Sequence, residues 1–131
     1  MNNTKLVENT IDELTYASSI LNMIINNDIQ SDGHLFNSIE SVVENIDRAK
    51  KNVCNLNADK NYKPIGEVKI SKDQTIETAI GSILTTLETA INLKVAEESG
   101  YLKNQDEYVI NLITSAKLNL DIVYTKVSFS D

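Results

Sequence analysis

The sequence predicts an all-α fold, a four-helix array built from two tandem αα-hairpins. Three observations carry this reading. Four long stretches repeat apolar residues in steps of four and three, the spacing of a helix that buries one face. Polar or glycine-bearing segments separate them. Thr10-Ile11-Asp12 and Thr75-Ile76-Glu77 each open an apolar pattern that is followed by a turn and a second long pattern, so the chain carries a faint internal repeat.

The first helix is predicted over about 4–27. Val7, Ile11, Leu14, Ser18, Leu21 and Ile25 form its seam, and Asn26-Asn27-Asp28 ends it. Ser31-Asp32-Gly33 supplies a polar turn with cap candidates for the second helix. That helix, about 34–56, has the clearest rhythm: Leu35, Ile39, Val42, Ile46, Ala49, Val53 and Leu56. At 1.5 Å per residue it spans about 33 Å. Glu40 and Glu44 lie early and Arg48, Lys50 and Lys51 late, an order that complements the helix dipole.

Residues 57–73 break the periodicity and form the linker between hairpins. They hold the only proline, Pro64, then Gly66, with Lys60, Lys63, Lys69 and Lys72 around them. Val68 and Ile70 alternate with Glu67 and Lys69, which fits a short strand, with Lys126-Val127-Ser128-Phe129 as its candidate partner.

The third helix, about 74–98, follows Ser71-Lys72-Asp73-Gln74, with Asp73 or Thr75 as alternative caps. Its seam is Ile76, Ile80, Ile83, Leu87 and Ala90, widened by Leu84 and Ile91, and Gly100 suits the position just past its end. The fourth, about 106–126, follows the capping-box pattern Asn104-Gln105-Asp106-Glu107 and presents Val109, Ile113, Ala116, Leu120, Val123 and Val127. Helices two and four match at one constant offset: Ile39 with Val109, Val42 with Leu112, Val43 with Ile113, Val53 with Val123. Duplication explains this, and so does the common grammar of bundle helices. Together the two hairpins, about 4–56 and 74–127, make one predicted domain over 1–131.

Composition narrows the function classes. A chain of 131 residues with 41% apolar content can bury a core without staples. A single cysteine excludes an internal disulfide and fits a reducing compartment, so a cytoplasmic location is expected. Met1 to Lys5 lack a basic region leading into an apolar run, and no stretch reaches the ~18 apolar residues of a membrane span, so neither a signal nor a membrane is expected. The net charge is −7 and Arg48 is the only arginine, the wrong sign for direct nucleic-acid binding.

No catalytic, cofactor-binding or metal-ligating residue emerges. A di-iron bundle needs paired Glu-x-x-His motifs, and the one histidine, His34, has no acid three residues before it. Cys54 falls beside Phe36 and Val43 on the helical wheel and reads as a small buried hydrophobe. Glycines at 33, 66, 81 and 100 are too scattered for a phosphate loop. Asp12-Glu13 and Glu97-Glu98 are adjacent in sequence, so on a helix they diverge instead of converging as acid and base.

Three surfaces exceed what a bundle requires. Tyr16, Ile20 and Met23 lie nearly opposite Leu14 and Leu21, and Leu118 and Ile122 lie opposite the fourth seam. Gly81, Ser82, Thr85, Thr89 and Asn92 give the third helix an uncharged back of small side chains. Glu40, Glu44 and Asp47 form an acidic row, with Glu44–Arg48 and Asp47–Lys51 as predicted ion pairs. The candidate partner-binding residues are therefore Tyr16, Ile20, Met23, Leu118, Ile122, Glu40, Glu44 and Asp47.

The expected function is a non-enzymatic protein-binding module that occupies a partner's surface. Inhibitors, immunity proteins, antitoxins and phage-encoded blockers of bacterial defence are of this general kind. The expected partner is another protein, basic where it meets the acidic row. A self-associating assembly subunit, for instance a homodimer, is the alternative, and a small-ligand bundle is third.

Overall fold

The computed structural model describes residues 3–26, 32–55 and 65–128. Four helices dominate it: α1 (Asn3–Ile25), α2 (Asp32–Asn55), α3 (Ile76–Glu98) and α4 (Asp106–Ser128). A 3-10 turn (Ile65–Glu67) and two short strands, β1 (Lys69–Ser71) and β2 (Gln74–Thr75), precede α3. The predicted helix ends agree to within about two residues. Helix α1 packs on α2 and α3 on α4. Contacts of α2 with α3 and of α4 with α1 then close the four into a ring.

One core fills the ring. Leu14, Leu21, Ile39, Ile46, Ile80, Ile83, Leu87, Ile113 and Leu120 are fully buried in it. The α4 seam is buried at every predicted position. In α2, Ile39, Val42, Ile46, Ala49 and Val53 are buried and Leu35 is half-buried, while Leu56 lies outside the described residues.

Helix α1 departs from its predicted seam by one residue at every second step. Its buried line is Val7, Thr10, Leu14, Ala17, Leu21 and Ile24. Ile11, Ser18 and Ile25 are only half-buried, flanking that line. Thr10 hid the register because a buried threonine resembles a solvent position in sequence. Its hydroxyl donates to the Leu6 carbonyl at 2.7 Å, so burial leaves no unmet polar group. The same residue disposes of the Thr10/Thr75 equivalence. Thr10 sits inside α1, whereas Thr75 is the N-cap of α3.

Thr75 rather than Asp73 caps α3. Its side chain accepts from Thr78 N–H, and the Thr78 hydroxyl accepts from Thr75 N–H, a reciprocal box. The strand partner also differs from expectation. β1 pairs antiparallel with β2 across the turn at Lys72-Asp73, and Lys126–Ser128 continue α4. A turn of two residues closes a far shorter loop than the C-terminus does, and shorter loops lose less entropy. Phe129, Ser31, Asn27, Asp28 and the linker residues 57–64 lie outside the described residues.

Candidate protein-interaction surface

The outward apolar positions are exposed, with one exception. Tyr16 (59%), Met23 (46%), Leu118 (62%) and Ile122 (47%) face solvent. Ile20 is half-buried and packs against the core. These residues do not form one patch. Tyr16 lines an open groove of about 370 Å³ between α1 and α2, with Asn9, Asp12, Glu13, Arg48, Lys51 and Asn52. Leu118 and Ile122, one turn apart, lie on the outer side of α4, opposite its buried seam. Helix α4 meets α1 elsewhere, where the Ser18 hydroxyl donates to Asp121 at 3.3 Å and Lys117 pairs with the same carboxylate at 2.7 Å.

The acidic row is partly realised. Glu40 and Glu44 are exposed, and Asp47 pairs with Lys51 at 3.1 Å as predicted. Arg48 departs from prediction. Its Nε donates to Glu13 Oε1 on α1 at 2.9 Å, and its Nη2 donates to the Asn45 side-chain oxygen at 2.6 Å. Glu13 is only 20% exposed, so water screens this pair less than it would a pair with the open Glu44. The hydrogen bond to Glu13 raises the Arg48 pKa above its ordinary value, burial opposes the rise, and the charges of Glu13, Glu44 and Asp47 add to it. Arg48 thus bridges the first hairpin. The second Glu13 oxygen is buried without a hydrogen-bond partner among the described residues.

The small-residue back of α3 borders a wide groove of about 800 Å³ shared with Lys50 of α2 and lined by Glu77, Thr78, Gly81, Ser82, Thr85 and Thr86. Three of its threonine hydroxyls are already engaged. Thr85 donates to the Gly81 carbonyl, Thr86 to Ser82 and Thr89 to Thr85. Donors spent on their own helix have little left for a ligand.

Comparison with protein-family models, with curated proteins and with solved structures finds no match to this chain.

One cluster was not legible in sequence. Lys94 is fully buried. Its ammonium pairs with Glu97 at 3.0 Å and Asp106 at 3.5 Å, and the other Glu97 oxygen accepts the Gln105 N–H at 2.8 Å. Glu97 of α3 thereby serves the entry of α4, where the predicted Asn104 capping box is not formed. Asn104 has φ 57°, a left-handed backbone, and not the extended conformation an N-cap adopts. At the other end of the same turn Gly100, at φ 82°, donates to the Glu97 carbonyl and Tyr101 to the Ala96 carbonyl, a Schellman closure. Lys94 falls four residues after Ala90, in step with the seam, but a lysine there reads as solvent-facing. His34 is exposed. Among the described residues no three metal-ligating side chains converge, and no helix is long and apolar enough to cross a membrane.

Proposed function

We propose that the chain is a protein-binding module that acts by occupying a partner's surface, without chemistry of its own. The observation that carries this is the exposure of large apolar side chains on well-formed helices, with Leu118 and Ile122 on α4 and Tyr16 beside the α1–α2 groove. In water such groups add nothing to folding and invite association. Tyrosine and methionine are also the anchors that interfaces favour. The net charge of −7 supports a partner whose contact surface is basic. Inhibitors, immunity proteins and antitoxins that mask a target work in this way.

Tyr16→Ala and Ile122→Asp test the reading. Each is expected to weaken partner binding or self-association, by ~2 kcal/mol where the residue is a hot spot, with little change in the thermal midpoint. A fall of tens of degrees in that midpoint, with association intact in the remaining folded protein, assigns those residues to the core and refutes the reading.

A further inference from the structure

The turn between α3 and α4 carries a second concentration of exposed apolar side chains, on a frame built more firmly than a connector needs. Tyr101 is 85% exposed, Tyr108 64%, Val95 44% and Leu102 40%. The backbone beneath them is pinned. Tyr101 and Leu102 both donate to the Ala96 carbonyl, at 2.9 and 3.3 Å. Glu97 holds the Gln105 N–H, and buried Lys94 ties Glu97 to Asp106. Side chains displayed on a fixed backbone lose little chain entropy on binding.

Charge selects the occupant. Glu98 and Glu107 are exposed on either side of the turn and enter no ion pair among the described residues. Asp106, although paired, is 81% exposed. Among the described residues Lys103 is the one exposed cation there. Tyrosine faces attract cations within ~6 Å, and neighbouring carboxylates strengthen that preference. We propose that this turn docks a basic segment of a partner protein, one that sets arginine or lysine beside an apolar anchor. The proposal rests on the protein-binding reading above and moves its centre from the helix faces to the turn.

The test pans a random peptide display library on the full chain and measures the selected peptides by fluorescence polarisation. They are expected to carry arginine or lysine next to an apolar residue. Their affinity should fall about tenfold or more in Tyr101→Ala, in Tyr108→Ala and in the double change Glu98→Lys with Glu107→Lys. Thr125→Ala, exposed near the other end of α4, should leave it unchanged, and thermal melts should confirm that every variant is folded. Three results of the peptide experiment overturn the proposal: no enriched peptide, peptides without cations, or binding that survives both tyrosine changes. If such binding is lost in Ile122→Asp instead, the protein-binding reading stands and the turn assignment alone falls. A dimer in light scattering that Tyr101→Ala dissociates also overturns it, because the occupant is then a second copy.

Discussion

Lys94 shows how one side chain can join two helices. A buried ammonium is tolerable only when carboxylates meet it, and Glu97 and Asp106 do so from either side of the turn. Removing one member of a fully buried pair typically costs ~3–5 kcal/mol. Asp106 is 81% exposed and Glu97 21%, so water can take over part of the solvation. Lys94→Ala is expected to cost roughly 2 kcal/mol, and Lys94→Met less, because methionine refills the volume of the stem without adding a charge. Urea melts of the two variants check this, and equal losses would show that the charge, not the packing, matters. Lys94 and Thr10 were hidden in the sequence for one reason. Each is a polar residue at a core position whose satisfaction depends on atoms that periodicity does not report.

At the scale of elements, legibility followed composition. Helices α2 and α4 were readable along their whole described seams because every buried core position predicted there is apolar. Helix α1 was misread in register because Ile11 and Ile25, both large, flank a line completed by small Ala17 and polar Thr10. The cap of α3 was legible as an alternative, whereas that of α4 was not, because Glu97 reaches it from another helix. Among the surface candidates, exposure of Tyr16, Met23, Leu118 and Ile122 was visible as wheel positions opposite the seams, while the Tyr101–Tyr108 patch had no periodic signal to betray it. Two glycines now separate by geometry. Among the described residues a methyl group at either Gly81 or Gly100 meets nothing within 4 Å. Gly81 is helical, so Gly81→Ala is expected to stabilise by ~0.5–1 kcal/mol. Gly100 has φ +82°, so Gly100→Ala is expected to destabilise by about 1 kcal/mol. Opposite shifts in denaturant midpoint check the pair, and shifts of one sign contradict the backbone assignment.

For the molecule as a whole, charge and topology make separable demands. Glu40 and Glu44 stand open to solvent on α2. Glu40→Lys combined with Glu44→Lys is expected to slow association with a basic partner more than it destabilises the fold, and raising salt should reproduce the slowing, since screening acts over ~8 Å at physiological ionic strength. Stopped-flow association rates across a salt series check it, and rates indifferent to both would leave the row a solvated face. The ring itself is closed by contacts of very different reach. Glu97 meets Gln105 across eight residues, while Ser18 meets Asp121 across 103. Short loops close first at small entropic cost, so the α3–α4 hairpin, with its cross-linked turn, is poised to assemble ahead of the seam between α4 and α1. Chevron kinetics should then divide the variants. Lys94→Ala slows folding, its loss already felt at the barrier, whereas Leu14→Ala in α1 chiefly hastens unfolding. The ammonium that steadies the native turn would in that case also decide where the chain begins to fold.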